Sequence, residues 1–323
     1  DDLYRVRDVT HPDLTTVSYT YDEVGNRLSV SDSAGVTAFT YDMGDRVATV
    51  IDPFGNTVGY TYDPNGNRSS IRYPGFRGVY YLFDELDRVT QVQDWAGVTT
   101  TYTYDEAGRL ETQTMGNGAV VTHSYDQAGR LVGKEDRTAG GTVIASYTYT
   151  LDPNGNRTGL DYTQPLLPDI GALDQTMAHN DGNQVTFNNA WTYAYDGKGN
   201  RTSATDGATT IAYDYDFNNR LTVVNDGTNL WEYRYTSNGH RISTTDNGVE
   251  TRWLLDLNGP MEMVLAEMDA GNVAERYYVY GDGLLYSVDG PTGERRFYHY
   301  DPVGSTVALS DFTGAVVGRY ARS

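Results

Sequence analysis

A short polar motif returns about every 20 residues, and this period constrains the fold more than any other feature of the sequence. The full form, Tyr-Asp-x-x-Gly-Asn-Arg, begins at Tyr21, Tyr62 and Tyr195. A form shorter by one residue, Tyr-Asp-x-x-Gly-Arg, begins at Tyr104 and Tyr125. Such a repeat indicates one supersecondary unit per copy, so the period must be interpreted before any single residue.

Each copy predicts one β-hairpin. A second, looser turn signal lies between successive motifs, as in Asp32–Gly35 and Asp94–Gly97. The two turns leave segments of about 5–7 residues between them, which is a normal strand length. Segments such as Thr99–Tyr104 alternate with period two and are bounded by turn residues. The sequence therefore predicts an all-β fold of antiparallel β-hairpin repeats, about 20 residues each, in a single repeat domain.

The motif residues have the chemistry of a hairpin turn. Asp accepts hydrogen bonds from backbone N–H groups two residues on, and Pro at the next position, as in Pro64 and Pro153, presets a type I turn. Gly adopts the left-handed conformation without steric cost. The Arg side chain is expected either to reach back to the turn carboxylate or to lie across a neighbouring Tyr ring. Two worn copies have Asp45 and Asp87 where Gly is usual.

The residues to which this structural role is assigned are Tyr21, Asp22, Gly25, Arg27, Tyr62, Asp63, Gly66, Arg68, Tyr104, Asp105, Gly108, Arg109, Tyr125, Asp126, Gly129, Arg130, Asp152, Gly155, Arg157, Tyr195, Asp196, Gly199, Arg201, Tyr215, Asp216, Arg220, Tyr300, Asp301 and Gly304.

Tyrosines form a second regularity, because many occur as pairs at i and i+2. Tyr19 with Tyr21 and Tyr102 with Tyr104 are examples, and both rings of a pair project from one face of a strand. Repeated pairs predict an aromatic stripe stabilised by cross-strand contacts. Such a stripe reduces the need for a deep aliphatic core, which suits 28 Tyr residues and a mean hydropathy of −0.55.

Charge and composition exclude several classes of function. A net charge of −20 opposes binding to nucleic acid or to an anionic membrane surface. The absence of cysteine is compatible with a reducing or an oxidising compartment. The sequence contains no run of about 18 apolar residues, so no membrane-spanning segment is predicted. The chain begins with Asp1, without a signal segment, and its first 20 residues resemble the second half of a repeat, so we expect a fragment.

The period divides residues 1–296 into three segments. Regular repeats are predicted over 1–160, an irregular insertion with a degenerate copy at His179–Val185 over 161–190, and further repeats over 191–296. The insertion contains Pro165–Pro168 and is interpreted as a plug, a docking loop or a longer turn. Pro260–Met268 is compatible with a helix or a strand.

No catalytic residue, metal site or cofactor is predicted. The histidines are scattered, without metal-like spacing, at His11, His123, His179, His240 and His299. Asp63–Asn67 and Asp152–Asn156 resemble a calcium loop, but they lack the glycine and the distal glutamate of an EF-hand, and turn chemistry explains them. Trp95, Trp191, Trp231 and Trp253 either stack on sugar rings or, the favoured interpretation, pack within the sheet or line the shell that the repeats form.

The motif and its spacing resemble the YD-repeat, or Rhs-repeat, family. Phe297–Val317 resembles the opening of the Rhs-associated core region, so 297–323 is assigned as its truncated start. The resemblance implies a hairpin ribbon spiralling into a hollow β-shell, as in Rhs effectors, toxin-complex cocoons, wall-associated proteins and teneurins. In the toxin branches the shell encloses a C-terminal toxin released by self-cleavage after the core region. No cleavage residue is transferred to this chain, which stops at Ser323.

These observations predict a non-enzymatic structural β-shell scaffold, a fragment of a larger bacterial protein that encapsulates a polypeptide toxin cargo. The alternative is an extracellular adhesion, carbohydrate-binding or self-assembling module. Expected partners are the enclosed cargo or further shell segments, self-association through open sheet edges, and glycans. Neither nucleic acid nor membrane insertion is expected, and the expected location is secreted or cell-surface.

Overall fold

The computed structural model describes residues 2–166, 176–259 and 262–321, and within these ranges every regular element is a β-strand. The predicted all-β class is confirmed. Across the same ranges no helix has the length and apolarity needed to span a membrane.

The strands form two 15-stranded sheets in which hydrogen-bonded neighbours follow chain order. The first sheet comprises β1 (Asp8–Thr10), β2 (Thr16–Tyr21), β3 (Arg27–Asp32), β4 (Gly35–Tyr41), β5 (Val47–Ile51), β6 (Thr57–Tyr62), β7 (Arg68–Tyr73), β8 (Arg77–Phe83), β9 (Val89–Gln93), β10 (Thr99–Tyr104), β11 (Leu110–Thr114), β12 (Val120–Tyr125), β13 (Leu131–Arg137), β14 (Val143–Leu151) and β15 (Arg157–Thr163). The second comprises β16 (Met177–His179), β17 (Val185–Asn188), β18 (Trp191–Tyr195), β19 (Arg201–Thr205), β20 (Thr210–Tyr215), β21 (Leu221–Asn225), β22 (Leu230–Tyr235), β23 (Arg241–Asp246), β24 (Val249–Asp256), β25 (Met263–Asp269), β26 (Ala274–Gly281), β27 (Gly283–Asp289), β28 (Arg295–Tyr300), β29 (Thr306–Ser310) and β30 (Val316–Arg319).

Each motif closes one hairpin with the same backbone geometry. In the copy between β6 and β7, the Asp63 N–H donates to Asn67 O at 2.9 Å and the Gly66 N–H donates to Asp63 O at 3.1 Å. Gly66 has φ +95°, in the left-handed region. The sheet register shifts between Thr61 and Tyr62, so the loop is a turn followed by a bulge. The motif therefore forms the turn that its residue types predict.

The two sequence forms of the motif have turns of equal length, so the shorter form contains no deletion in the loop. Asp105 N–H donates to Arg109 O at 2.9 Å, as Asp63 N–H does to Asn67 O. Arg109 therefore occupies the place of the asparagine, and Leu110 occupies the place of the arginine. The one-residue difference between the two sequence forms is therefore a shift of Arg along a loop of constant length.

The worn copies retain the same turn at a backbone cost. Asp45 has φ +58° and Asp87 has φ +59°, the left-handed conformation that Gly adopts in other copies. Asp and Asn tolerate this region better than most residues, although less well than Gly. In the degenerate copy Asn183 has φ +57° and its N–H donates to Asn180 O at 2.9 Å, so this copy also forms a turn.

The chain divides into two compact units, Asp1–Val58 with Gly171–Glu275 (unit 1) and Gly59–Ile170 with Arg276–Ser323 (unit 2). In unit 1 the looser turns that lie between successive motifs of the first sheet pack against the second sheet. Asn272 Nδ2 donates to Phe54 O at 3.1 Å, and the Arg252 guanidinium lies 4.3 Å from the Phe54 ring centroid. Ala34 belongs to an apolar cluster with Ile242 and Leu255.

Unit 2 repeats this docking with buried polar contacts. Arg295 Nη2 lies 2.7 Å from Asp94 Oδ2, and the Asp94 side chain has no exposed surface. Asn117 Nδ2 donates to Asp311 O at 2.9 Å. Trp95 packs against the rings of Tyr73 and Tyr277, at centroid distances of 5.7 and 5.3 Å. This half-buried tryptophan therefore contacts aromatic side chains of both sheets.

The irregular stretch is only partly described. β15 ends at Thr163 and β16 begins at Met177, while 167–175, including Leu167 and Pro168 of the predicted plug or loop, lies outside the described residues. The ambiguous stretch 260–268 contains β25 from Met263 onward, which is the strand alternative, and 260–261 lies outside the described residues.

The turn between β18 and β19 offers a matched glycine pair. Gly199 has φ +91°, whereas Gly197 does not have a left-handed φ and a Cβ built there meets open space. We expect Gly199→Ala to destabilise the chain by about 1–2 kcal/mol, because Ala is strained in the left-handed region. Gly197→Ala should be neutral or stabilise by about 0.4–1 kcal/mol. Urea unfolding followed by tryptophan fluorescence measures both, and equal effects at the two positions would contradict the assigned turn.

Candidate functional site

The motif aspartate organises its own turn through both carboxylate oxygens. In the copy at Tyr104, Asp105 Oδ1 accepts from the backbone N–H groups of Ala107 and Arg109, both at 2.9 Å. Asp105 Oδ2 accepts from Arg109 Nε at 2.6 Å. The Arg109 side-chain hydrogen bond, with the backbone hydrogen bond next in importance, lowers the pKa of the Asp105 carboxyl below its ordinary value. The carboxylate is thus used in building the turn.

In the longer form an asparagine amide replaces the guanidinium. Asp196 Oδ1 accepts from the Asn200 backbone N–H at 2.8 Å, and Oδ2 accepts from Asn200 Nδ2 at 2.9 Å. Asp22 and Asn26 make the same pair of contacts, at 2.7 and 3.0 Å. The arginine, now one residue further on, is released from the turn.

The position of the arginine within the motif determines which aromatic ring its guanidinium covers. In the shorter form it lies over the motif tyrosine of the following copy, as Arg109 does over Tyr125 at 4.4 Å. In the longer form it commonly covers the ring two residues before its own motif tyrosine, as Arg201 does over Tyr193 at 4.4 Å. Arg27 departs from this pattern and covers Phe39 at 5.0 Å. Both sequence-based alternatives for Arg therefore occur, and contacts of this kind contribute about 0.5–1 kcal/mol each at exposed sites.

In several copies the motif tyrosine hydroxyl bonds the copy to the preceding hairpin. Tyr104 Oη donates to Val89 O at 2.8 Å, and Tyr125 Oη donates to Leu110 O at 2.9 Å. Burial raises the pKa of both phenols, so each stays a proton donor at neutral pH. Hydroxyl groups at Tyr21, Tyr195 and Tyr300 donate to Val6 O, Val185 O and Leu284 O in the same way.

Side chains also link the motif turns of successive copies. Asn26 Nδ2 donates to Asp45 Oδ1 at 2.9 Å, so the aspartate in a worn copy contributes a contact that Gly would lack. Arg130 Nη1 donates to Asp152 O at 2.9 Å while its Nε remains 2.6 Å from Asp126 Oδ2. The turns are therefore bonded laterally as well as through the strand ladder.

The other assigned residues occupy corresponding places in their copies. Their contacts include Asp216 with Arg220 at 2.6 Å, the Arg157 guanidinium over Tyr149 at 5.3 Å, and Asp301 Oδ1 with the Val303 N–H at 3.0 Å. The assigned glycines with positive φ are Gly25, Gly66, Gly108, Gly129, Gly155, Gly199 and Gly304. The motif thus distributes its polar groups along the repeats and does not collect them at one catalytic centre.

The calcium-loop resemblance has a structural explanation in the turn. Asp152 Oδ1 accepts from the N–H groups of Asn154 and Asn156, and Oδ2 accepts from Asn156 Nδ2. These oxygens therefore already have hydrogen-bond donors. Within 2–166, 176–259 and 262–321, no group of three or more His, Cys, Asp or Glu side chains has a metal-binding arrangement.

Unit 2 contains a buried Asp–His–Ser arrangement that no sequence motif indicates. His299 Nδ1 lies 2.7 Å from Asp136 Oδ2, and Nε2 lies 2.7 Å from Ser310 Oγ. Asn117 Nδ2 donates to Ser310 Oγ at 2.9 Å. His299 and Ser310 have no exposed surface, and Asp136 is 1% exposed, so these side chains form a polar network within the core, in which Asp136 Oδ1 has no hydrogen-bond partner among the described residues. Their sequence separations give no motif that could have revealed it.

Comparison with known proteins gives a family model and several relatives. The model described as Teneurin YD-shell matches residues 2–122. The tRNA nuclease WapA of Bacillus subtilis is 30% identical over 181 residues, which is 56% of this chain. The tRNA3(Ser)-specific nuclease WapA of Bacillus spizizenii is 31% identical over 182 residues.

Solved structures show the same fold. The crystal structure of TcdB2-TccC3 matches 97% of this chain at a TM-score of 0.66 and 16% identity. The Photorhabdus luminescens Tc holotoxin pore matches 99% of this chain at a TM-score of 0.62 and 14% identity. The chain spans 7% of the length of these WapA relatives, and 22% and 23% of these two structures.

The motif carboxylates make stability sensitive to acid. Since the pKa of Asp105 is lowered in the folded state, the carboxylate stabilises the fold above its unfolded pKa, and that contribution is lost as the pH falls. The pKa values of Asp42, Asp84 and Asp126 are also lowered. We expect the thermal midpoint to fall as the pH drops below about 4.

A matched pair of variants isolates this effect. Asp105→Asn should flatten the acid dependence measured by circular dichroism melts, because it removes one titrating group that Arg109 holds charged. Glu106→Gln removes the same charge from the same turn without altering that contact, and it should leave a steeper acid dependence than Asp105→Asn. Indistinguishable acid slopes for the two variants would contradict the assigned role of Asp105.

Proposed function

Because the chain belongs to the YD/Rhs-repeat family, we propose that it is a non-enzymatic wall segment of a larger β-shell that encloses a polypeptide cargo such as a toxin domain. A structural scaffold is the role that its YD-shell fold supports. The proposal is carried by the hydrogen bonds of the motif side chains. The carboxylates, amides and guanidinia close the turn within each hairpin, and the guanidinia and phenols join neighbouring hairpins.

The fold match supports a segment within a larger assembly. Nearly the whole chain, 97%, aligns with only 22% of the TcdB2-TccC3 chain. In the proposed arrangement, further shell segments of the parent protein and the enclosed cargo are the partners. The proposed location is secreted or cell-surface, since the family includes Tc toxin and teneurin-type shells.

Catalysis by the parent protein is assigned to other parts of it. The WapA relatives are named as tRNA nucleases, but the matched 181 residues correspond to 7% of one such protein. In this chain the polar groups of the matched repeats are bonded in turns, as Asp105 is to Arg109. We therefore propose that this segment forms wall and leaves nuclease or other toxic activity to cargo.

An adhesion or self-assembling module is the second candidate, and an exposed edge strand favours it. Six of the seven residues of β15 are exposed, and among the described residues β15 pairs only with β14. An unpaired edge offers backbone donors and acceptors to another strand. A second copy of the chain could use this edge for head-to-tail pairing.

Protease protection in the parent protein separates the two candidates. A protease site is placed in the proposed cargo domain of the parent protein, and the same site is placed in a matched version of that domain expressed alone. Enclosure predicts that the site in the parent is cut at least about tenfold more slowly until mild denaturant opens the shell. Equal cleavage rates, together with concentration-dependent filaments in light scattering, would overturn enclosure in favour of self-assembly.

A further inference from the structure

Unit 2 contains a cavity of about 510 Å³ that the repeat motif does not explain. Strands β11–β13 of the first sheet and the turns at Asp282 and Asp301 surround it. Met115, Val121 and Leu284 are among its apolar residues. The volume lies in the range of small-molecule sites, roughly 300–1,000 Å³, which combine apolar walls with a few convergent polar groups.

His123 and Lys134 provide two of those polar groups, and they are direct cross-strand partners on β12 and β13. Residues opposed in this way have Cβ atoms about 4.5–5.5 Å apart and project from the same face. Lysine is rare in this chain, since Lys134 and Lys198 are the only two among 323 residues. Lys198 lies at an exposed turn of unit 1, so the cavity contains the only lysine of unit 2.

The Lys134 ammonium is only partly satisfied by the protein. Its Nζ donates to Tyr300 O at 2.8 Å and to Asp301 O at 3.3 Å, which leaves one of three N–H donors. Burial lowers the pKa of Lys134, although the negative charges of Asp136 and Asp301 act in the opposite direction. A buried donor without a partner costs free energy, so a ligand oxygen at this position would be stabilised.

His123 offers the complementary group. Its Nδ1 atom is buried, without a hydrogen-bond partner among the described residues, so Nε2 is the ring nitrogen that a ligand in the cavity can contact. Burial, and secondarily the charge of Lys134, lowers the pKa of His123, whereas Asp282 acts in the opposite direction. The imidazole is therefore neutral at neutral pH, and a neutral ring nitrogen can accept a hydrogen bond.

The charges around the cavity disfavour an anionic ligand. Asp282 and Asp301 both line it, and Asp136 lies close enough to Lys134 to affect its ionisation. One ammonium is thus already offset by nearby carboxylates, and an added carboxylate would be repelled by two of them. A neutral group with one acceptor and one donor fits the two unused positions without adding charge.

We propose that this cavity binds an uncharged amide, whose carbonyl oxygen accepts from Lys134 Nζ and whose N–H donates to His123 Nε2. The apolar part of the ligand packs against Met115, Val121 and Leu284. The amide can belong to a free small molecule or to a peptide segment, because both present the same chemistry. This site is independent of the proposed enclosure, since it is built entirely from residues of unit 2.

Calorimetric titration with N-acetyl-L-leucinamide tests the charge argument. We expect saturable binding of the amide, and N-acetyl-L-leucine, the carboxylate of the same shape, should bind at least about tenfold more weakly. A capped pentapeptide centred on leucine distinguishes the two ligand sources, because tighter binding than the single amide indicates a peptide site and weaker binding a small-molecule site. The proposal would be overturned if no amide binding is seen at millimolar amide concentrations, up to 50-fold above the protein concentration. Tighter binding of the carboxylate than of the amide would also overturn it.

Variants and selective labelling test the anchor. Lys134→Met should weaken amide binding about tenfold, which corresponds to one lost hydrogen bond of about 1.4 kcal/mol, while the matched Lys198→Met should leave it unchanged. Because Lys134→Met can also disturb folding, the wild-type chain is labelled with 15N-lysine, which gives two backbone signals. The amide should shift the Lys134 signal and not the Lys198 signal. Unchanged affinity in a folded Lys134→Met variant, or a wild-type Lys134 signal that stays fixed at saturation, would contradict the anchor.

Discussion

The hydrogen bonds from backbone N–H groups to the motif aspartate are the interaction on which the repeat depends. A hairpin turn leaves backbone donors without partners in the strand ladder, and Asp105 accepts two of them with one oxygen. Its second oxygen fixes the side chain four residues on. Closing each turn in this way sets the register of the two strands that leave it, because hairpin register follows from turn type and loop length.

A one-residue shift of arginine changes how neighbouring hairpins are joined. When Arg is four residues after Asp, as in Arg109, it holds the carboxylate and covers the tyrosine of the next copy. When it is five residues after Asp, as in Arg201, Asn200 holds the carboxylate and Arg covers a ring of its own copy. The turn itself is unchanged. The repeat thus varies its lateral contacts while the loop length stays constant.

Much of this local structure could be predicted because it depends on residues close in sequence. Asp63, Pro64 and Gly66 have the turn preferences that their chemistry indicates, and Gly66 has the positive φ that a bulged turn needs. The i, i+2 spacing predicts Tyr102 and Tyr104 on one face of the strand, and the residue between them, Thr103, is exposed while Tyr102 is buried.

Contacts between distant strands could not be predicted, because no local period encodes them. In the sequence Asp94 is only part of a loose turn signal, yet its carboxylate is buried against Arg295, about 200 positions later. His299 lay outside any metal-like pair, and its partner Asp136 comes from the other sheet. The cavity at Lys134 likewise forms only when β13 packs beside the turns of the second sheet. A single sequence offers no signal for such pairings.

Amide hydrogen exchange in an Asp126→Ala variant tests most directly whether the motif aspartate also supports the neighbouring turn. Asp126 holds Arg130, which donates to Asp152 O in the next motif turn. Exchange should therefore accelerate in 126–130 and also in 152–156, whereas Gln127→Ala, a change at the exposed tip of the same turn, should leave 152–156 unaffected. Acceleration confined to 126–130 would show that each turn is stable by itself, and would contradict the lateral coupling of turns on which this account of the repeat rests.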